Sequence, residues 1–317
     1  MQKTKKKKFA EKNIPRYIWN HKFQYLFILL AVVWYIIFCY IPMAGIILSV
    51  KEYSFAGGMF KSPWASPWYK YFYLLFNNVT FWKIVWNTVK ISILKLVTGF
   101  FPPIILAIML NECHRKKFKK VVQTVSYLPH FLSWVVISAM LTQLFTPYNG
   151  QGPLNRVFQV LTGSDTPQYI LGKANAFYPL IILTNIWQGV GWGSIIYLSA
   201  ISGVNNEVYE AAVLDGCGRF GLIWNVTLPA IKPTIGIVLI MSLGGVVSAG
   251  YDQIYVFKTA ANYEYSNVLD IYIIDNGISQ GRYSLATAAQ LFQSVIALFI
   301  TLAGNQIFKK TSGISLW

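Results

Sequence analysis

Residues 210–217 read Glu-Ala-Ala-Val-Leu-Asp-Gly-Cys, and the same segment runs on to Leu228-Pro229 and Pro233. It is a short, charged insert between two long apolar stretches of the chain. The small side chains of Ala211 and Ala212 leave one side of a helix bare, so that another backbone can approach closely. By its residues alone, the segment fits a helix-turn-helix that lies in a partner's groove and equally fits a simple amphipathic connector.

The residues around this insert predict where its helices begin and end. Asn205-Asn206 suits a helix start, because both side chains accept hydrogen bonds from amides that lack a partner. We expect the helix to end at 214–215 with Gly216 in the turn, since glycine adopts the left-handed conformation at little cost. A second short helix is expected over 219–226, and Leu228-Pro229 is expected to end it and to begin the next apolar stretch.

The composition of the chain is typical of a membrane protein. Of its 317 residues, 55% are hydrophobic and 12% are charged, and the mean hydropathy is +0.46. A soluble domain carries about 25% charged residues, roughly twice this share. The 11 Trp, 20 Tyr and 21 Phe suit the aromatic belts that form at the two surfaces of a bilayer.

Six apolar stretches are each long enough to cross a bilayer, which takes about 20 residues in a helix. They are 24–50, 84–110, 121–145, 177–201, 230–256 and 284–307. The first is too long for a cleaved signal peptide and has no small-residue cleavage pattern after it, so we interpret it as a retained span. The predicted fold class is therefore an all-α membrane protein with six transmembrane helices.

The positive charge predicts how these spans are oriented. The net charge is +16, and its two dense clusters, at 1–22 and 115–120, both adjoin apolar stretches. With six spans the two termini share one side of the membrane; 17 of the 27 Lys and Arg fall on that side and 8 on the other. By the positive-inside rule both termini and the 205–233 loop are cytosolic. This pattern differs from the continuous basic face of a nucleic-acid-binding protein.

The loop at 205–233 resembles the EAA loop of type-1 ABC importer permeases. The match covers Glu210-Ala211-Ala212, Asp215-Gly216, Ile223, Leu228-Pro229 and Pro233, with Cys217 in place of the usual alanine. In that family the loop is the coupling helix, which sits in a cleft of the ATPase subunit and lies between the fourth and fifth of six spans. The resemblance implies coupling to an ATPase through Tyr209, Glu210, Ala211, Ala212, Asp215 and Gly216.

Further motifs, from about residue 20 onward, resemble the LplB-like branch of carbohydrate-uptake permeases. They are Asn87-Thr88, Leu110-Asn111-Glu112, the run at 118–124, Tyr127-Leu128-Pro129-His130-Phe131, Gly244-Gly245, Gly250-Tyr251-Asp252-Gln253-Ile254 and Ser315-Leu316-Trp317. Asp252 stands where glutamate is common in that branch. The branch accompanies extracytoplasmic lipoproteins and complex oligosaccharides. The resemblance therefore implies a permease subunit that forms half of the pathway for a sugar or complex oligosaccharide.

The resemblance also implies that cargo is bound by the fourth and fifth spans near the middle of the membrane. Sugars bind to flat aromatic faces and to amide or carboxylate groups that pair with hydroxyls, and both spans carry such side chains. The candidates for the substrate pathway are Asn185, Trp187, Gln188, Trp192, Ser248, Tyr251, Asp252 and Gln253. Asp252 is the one acid that we place within a span, which makes it a functional candidate. That these polar groups hold helices together is the alternative.

Prolines and two lysines mark irregular places in the second and third spans. Pro102-Pro103 is expected to break or kink the second span and Pro129 the third, because proline lacks an amide hydrogen and clashes with the preceding turn. Lys90 lies near the outer end of the second span and can extend to the interface. Lys95 is expected to face protein or a wet cavity, with a structural role favoured over direct contact with cargo.

The sequence shows no nucleotide-binding, catalytic or metal-binding pattern. It has no Gly-x-x-x-x-Gly-Lys-Ser/Thr run, and its three cysteines are too scattered for a disulfide framework or a metal site. The histidines are also far apart, and His130, beside Pro129, is expected to cap or pack rather than to titrate. We predict that the chain is not an enzyme and binds no metal or cofactor, with ATP and Mg²⁺ bound by a partner ATPase.

The predicted organisation has four parts in a bacterial plasma membrane. They are a basic cytosolic tail at 1–22, the first transmembrane helix with an outer loop at 23–83, an ABC transmembrane type-1 domain of five helices at 84–308, and a cytosolic tail at 309–317. The resemblance implies a second homologous permease, two ATPase subunits and an extracytoplasmic binding protein of the lipoprotein type as partners. No nucleic acid is expected.

Two alternatives stay open at this point. An ABC importer permease for a peptide or another non-sugar solute would share these motifs, because specificity resides mainly in the binding protein. A secondary transporter would explain six spans, the prolines and Asp252, but it would not need the 205–233 loop.

We expect an ATP-hydrolysing subunit to co-purify with this chain in mild detergent, because its cleft would hold the 205–233 loop. The measurement is ATPase activity in the affinity-purified sample. Transport that persists without ATP and follows an ion gradient would contradict this expectation and favour the secondary transporter.

Overall fold

The computed structural model describes residues 14–145, 152–163, 171, 173–313 and 315–316. Within these ranges the chain is helical, and its one isolated bridge pairs Lys51 with Trp64 in an antiparallel sense. Most of the predicted basic tail, part of the predicted loop at 146–176 and Trp317 lie outside the described residues.

The first long helix lies at the surface of the bundle. A short helix, α1 (Ile14–Asn20), leads into α2 (Lys22–Val50), which contains a π-helical turn at Ile36–Tyr40. The most apolar part of α2 is 0% buried within this chain. The contacts of α2 are concentrated at its 3-10 segment Ala44–Val50, which packs against the last helix of the chain. α2 is apolar on all sides, which suits a helix surrounded by lipid.

The segment after α2 folds around one buried lysine. It contains two short helices, α3 (Gly58–Lys61) and α4 (Lys70–Phe76). The Nζ of Lys51 donates hydrogen bonds to the carbonyl oxygens of Met59 at 3.1 Å and Phe60 at 2.8 Å. These bonds satisfy a buried ammonium group, which would otherwise be costly to bury.

The second expected span is one continuous helix, α5 (Val79–Glu112), of 34 residues. It contains both Pro102 and Pro103, so of the two outcomes expected there, a break or a kink, the break does not occur. Pro103 is buried, and a Cβ built at Gly193 of a neighbouring helix would lie 3.0 Å from its ring. Glycine at 193 therefore leaves room for the Pro103 ring at the place where two amide hydrogens of α5 are missing.

The third expected span is a bent pair of helices. α6 (Lys116–Phe131) and α7 (Trp134–Phe145) meet at an angle of 103°. Pro129 lies in the 3-10 turn Leu128–Phe131 that ends α6, which confirms the irregularity expected at this proline.

The helix at the centre of the bundle is α9 (Phe177–Ser202), which follows α8 (Pro153–Thr162) in the chain. α9 has its most extensive contact with α5 and also packs against α6. A Cβ built at Gly191 would lie 1.9 Å from the carbonyl oxygen of Ser126 in α6. Only glycine allows the two backbones to approach this closely.

The charged insert at 205–233 forms the predicted helix and turn. α10 (Asn206–Leu214) precedes α11 (Arg219–Val247). The side chain of Asn205 accepts a hydrogen bond from the amide of Glu207 at 3.1 Å, and Gly216 has a φ of +84°. The expected helix start, helix end and turn are therefore confirmed.

α11 does not end at Leu228-Pro229, so that expectation is wrong. A π-helical turn at Ile223–Thr227 carries the helix directly into the segment Leu228–Leu243. Pro229 is the second residue of that segment, so its missing amide hydrogen falls where the π-helical turn passes into the α-helix.

The fifth expected span, 230–256, is broken near its end. α11 stops at Val247, the backbone turns through residues 248–250, and Gly250 has a φ of +84°. Glycine tolerates this positive φ, and a right-handed helix cannot continue through it. The remaining helices are α12 (Tyr251–Phe257), α13 (Tyr263–Ser266), α14 (Leu269–Ile274, with a π-helical turn at Asp275–Ser279) and α15 (Tyr283–Ser312).

Four described helices are long and apolar enough to cross a membrane, and the bent pair α6–α7 would be a fifth. The four are α2, α5, α11 and α15. α9 is 26 residues long and lies where the sequence predicted the fourth span, but Asn185 and Gln188 make its middle more polar.

We expect Gly191→Ala to destabilise the protein, because the added methyl group overlaps the backbone of Ser126. Such overpacking typically costs about 1–3 kcal/mol. Gly189→Ala is the matched control, because a Cβ there meets nothing within 4 Å. Thermal unfolding in detergent should show a lower midpoint for Gly191→Ala only. Equal midpoints for the two variants would show that α6 and α9 do not cross at Gly191.

Candidate functional site

A cavity of about 750 Å³ opens between α5, α9 and α11. Its volume is in the range of pockets that hold organic ligands, about 300–1,000 Å³. Most of its wall is apolar, and its polar and aromatic lining residues are Ser92, Lys95, Phe100, His130, Asn185, Gln188, Trp192, Tyr197, Ser242 and Ser248. A flat aromatic surface with amides, hydroxyls and one ammonium group suits a ligand that carries many hydroxyls.

The structure brings half of the predicted pathway residues into this cavity. The four that line it are Asn185, Gln188, Trp192 and Ser248. The four that do not are Trp187, Tyr251, Asp252 and Gln253. Within α9, Gln188 and Trp192 line the cavity because they are four residues apart and share one face of the helix. Trp187 lies on a different face.

Gln253 lies in the packed interior instead. Its side chain is buried, and its Nε2 donates hydrogen bonds to the carbonyl oxygen of Ile181 and to the hydroxyl of Thr184, both at 2.9 Å. These bonds tie α12 to α9, which is the helix-joining role that the sequence left open as the alternative.

Trp192 forms an aromatic wall with the end of α6. The rings of His130 and Trp192 are stacked, with centroids 4.6 Å apart and planes within 5° of parallel. Gln188 donates from Nε2 to the carbonyl oxygen of Leu132 at 3.0 Å, which ties α9 to the bend after α6. The expectation that His130 packs is confirmed, and Trp192 stays 48% exposed toward the cavity.

The break after α11 is held by side chains from three other helices. Lys95 of α5 donates to the carbonyl oxygen of Ala249 at 2.8 Å, and the amide of Ala249 donates to Asp270 of α14 at 2.8 Å. Ser248 also donates to Asp270 at 3.0 Å. Gln293 of α15 donates to the backbone just before the break. The expectation that Lys95 faces protein or a wet cavity is confirmed, since it does both.

Asp270 and Gln293 were missed by the sequence reasoning, which placed residue 270 in an outer loop. The signal that points to them is Gly250, since a helix that breaks in an apolar bundle leaves backbone groups that need polar partners. Which side chains supply them depends on the tertiary fold.

Tyr251 and Asp252 lie beyond the break, toward a second cleft. Tyr251 stacks on Tyr255, with ring centroids 5.0 Å apart, and Asp252 is exposed. The cleft has a volume of about 790 Å³ and is bordered by Tyr255 and by an ion pair of 3.4 Å between Lys258 and Asp275.

The predicted coupling residues lie on an exposed helix. Glu210, Ala211 and Asp215 are exposed, and Leu214 is 88% exposed. The hydroxyl of Tyr209 lies 3.0 Å from that of Thr227, so this hydrogen bond fastens α10 to α11. Within the described residues, no group of His, Cys, Asp and Glu side chains is arranged to hold a metal ion.

Comparison with known families identifies the class of protein. Residues 99–310 match the family of binding-protein-dependent transport system inner membrane components. The chain belongs to this family, and the resemblance to ABC importer permeases is thereby confirmed. It is a multi-pass membrane permease subunit whose family works with ATPases in separate subunits.

Two relatives from Bacillus subtilis (strain 168) align over most of the chain. The protein LplB is 37% identical over 289 residues, which are 91% of this chain and 89% of LplB. The polygalacturonan/rhamnogalacturonan transport system permease protein YteP is 36% identical over 304 residues, which are 96% of this chain and 93% of YteP.

Two crystal structures share the fold. One is of a bacterial ABC transporter involved in the import of the acidic polysaccharide alginate; its matching chain has a TM-score of 0.84 and 34% identity, and the match covers 95% of this chain and 100% of that chain. The other is of the alginate ABC transporter in complex with an alginate pentasaccharide-bound periplasmic protein, with a TM-score of 0.85, 33% identity, and coverage of 96% and 100%.

We expect Trp192→Ala to raise the solute concentration that half-saturates uptake by about fivefold or more, because an aromatic face is lost from the cavity. Trp187→Ala is the matched control, since Trp187 is on the same helix and 45% exposed but does not line the cavity. The measurement is uptake by the assembled importer, with equal amounts of complex. Equal effects of the two substitutions would contradict a role for the cavity.

Proposed function

We propose that this chain forms half of the pathway of a type-1 ABC importer for complex oligosaccharides. Its exposed α10 is the element that couples it to an ATPase. Two observations carry the proposal. The chain belongs to the permease family, and α10 is bonded to α11, the helix whose far end lines the cavity.

The surface of α10 and the start of α11 has the chemistry of a protein interface. Leu214 is 88% exposed and Phe220 is 80% exposed, and both lie near Glu210, Asp215 and Arg219 in the chain. Exposed apolar side chains with charged neighbours mark a surface that another protein covers. The partner proposed for this surface is the ATPase subunit.

α11 can carry motion from that surface to the cavity. It is continuous over 29 residues, a length of about 44 Å at 1.5 Å per residue. Its first turns hold α10 through the bond between Tyr209 and Thr227, and its last turns line the cavity with Ser242 and Gly245. A displacement of α10 by the ATPase therefore shifts the cavity wall, which is the basis of alternating access.

The cavity of one chain is half of a pathway. It is open to the surface of the chain, and a second, related permease would supply the opposite wall. A binding protein would deliver cargo to the outer loops, ATP binding would open the outer side, and hydrolysis would reset the inward state. ATP and Mg²⁺ would be held by the two ATPase subunits.

The cargo is proposed to be an oligosaccharide. Trp192 offers a flat apolar face on which a sugar ring can stack, and Asn185 and Ser248 offer donors and acceptors for hydroxyls. The names of YteP and of the two alginate transporter structures support this cargo class. A peptide or another non-sugar solute has no comparable support.

The proposed topology has six spans with both termini in the cytosol. α2, α5, the α6–α7 pair, α9, α11 and α15 would be the spans, with α9 packed against α5, α6 and α11. This arrangement puts α10 on the cytosolic side, where an ATPase can reach it, and agrees with the positive-inside distribution of Lys and Arg.

We expect Glu210→Lys to abolish uptake and to prevent co-purification of the ATPase, because it reverses a charge in the docking surface. The amount of the chain in the membrane should not change, since Glu210 is exposed and lies outside the bundle. Glu210→Gln keeps the size of the side chain, and its uptake should fall between those of the wild type and Glu210→Lys. Normal uptake by Glu210→Lys would overturn the proposed coupling role.

A further inference from the structure

Lys95 is the one lysine or arginine among the residues that line the cavity between α5, α9 and α11, and that lining includes no aspartate or glutamate. Its Nζ donates a hydrogen bond to the carbonyl oxygen of Ala249 at 2.8 Å. An ammonium group has three donors. Among the described residues this bond is the one found, which leaves two donors of the ammonium group without a protein partner there.

Asp270, which shares the backbone of Ala249 with Lys95, is occupied by other donors. Asp270 accepts hydrogen bonds from Ser248, from the amide of Ala249 and from Gln293. The ion pairs found among the described residues do not include Lys95. Lys95 therefore has no direct carboxylate partner, although a charge in a membrane-embedded cavity is stabilised most by one.

The surroundings of Lys95 suit the rest of a sugar acid. A Cβ built at Gly99, one helical turn along α5, would lie 3.1 Å from the amide nitrogen of Asn185. The side chain of Asn185 is therefore close to that of Lys95 on the cavity wall. A carboxylate at Lys95 would bring the hydroxyls of the same ring to Asn185 and Ser248.

We propose that this cavity prefers anionic sugars, with the carboxylate of a uronate residue bound by the free donors of Lys95. The inference rests on the proposed function and adds the charge of the cargo to it. Binding of a uronate supplies the carboxylate that Lys95 lacks. A neutral ring leaves the ammonium group with weaker partners.

The test compares two ligands with the same sugar backbone, one with free carboxylates and one with uncharged methyl esters. The assembled importer, in lipid nanodiscs without the binding protein, is titrated with trigalacturonate and with its uncharged methyl ester. We expect the wild type to bind the acid at least about tenfold more tightly than the ester. Equal affinities, or no binding of either ligand, overturn the proposal, and this comparison does not depend on the folding of any variant.

The variants then assign the preference to Lys95. Lys95→Gln should bind the acid and the ester equally, and Lys95→Arg should keep the preference. Lys90→Gln is the matched control, because Lys90 is on the same helix but lies over the ring of Tyr178, at 4.4 Å, and does not line the cavity. Loss of the preference in Lys90→Gln, or its persistence in Lys95→Gln, overturns the assignment.

This inference and the proposed function fail in different ways. ATP-driven uptake of oligosaccharides with no difference between charged and neutral cargo contradicts the charge preference alone. The absence of any ATP-driven oligosaccharide uptake by the wild-type assembly contradicts the proposed function.

Discussion

The break between α11 and α12 is the constraint on which the arrangement of the bundle depends. Backbone groups freed at residues 247–250 lie among apolar helices, where an unpaired polar group costs about 1–3 kcal/mol. The partners come from Lys95, Asp270 and Gln293, which lie on α5, α14 and α15. One break therefore joins four separate helices at a single place, and that place is also a wall of the cavity.

The same helix, α11, connects the proposed ATPase-binding surface with the cavity. α11 begins beside the exposed α10 and ends at the break, so the surface proposed to meet an ATPase and the wall proposed to meet cargo belong to one helix. The close crossing at Gly191 and the stacked rings of His130 and Trp192 fix α6 against α9 on the opposite side of the cavity. The cavity therefore has one wall where α6 packs closely on α9 and another formed by the end of α11.

The sequence predicted the local structure well wherever the cause was local. The cap at Asn205, the turn at Gly216 and the irregularity at Pro129 each follow from the chemistry of one residue and its neighbours. Of the break or kink expected at Pro102-Pro103 the break does not occur, and the helix end expected at Leu228-Pro229 is wrong; Gly193 packs on Pro103 and a π-helical turn precedes Pro229. A proline removes one donor, but the surrounding helices decide whether the backbone can continue without it.

The amino-acid sequence by itself determined the class of the protein, since the apolar stretches, the clustered positive charge and the motif at 210–217 require no knowledge of packing. It also named Asn185, Gln188, Trp192 and Ser248 as pathway residues, and these do line one cavity. Only the tertiary structure decided that Gln253 is buried between helices, that Asp252 lies outside the cavity, and that Lys95 and Asp270 share the backbone of Ala249. The direction in which a side chain points depends on the rotation of its helix and on where a helix is interrupted. Contacts between residues far apart in the sequence fix both.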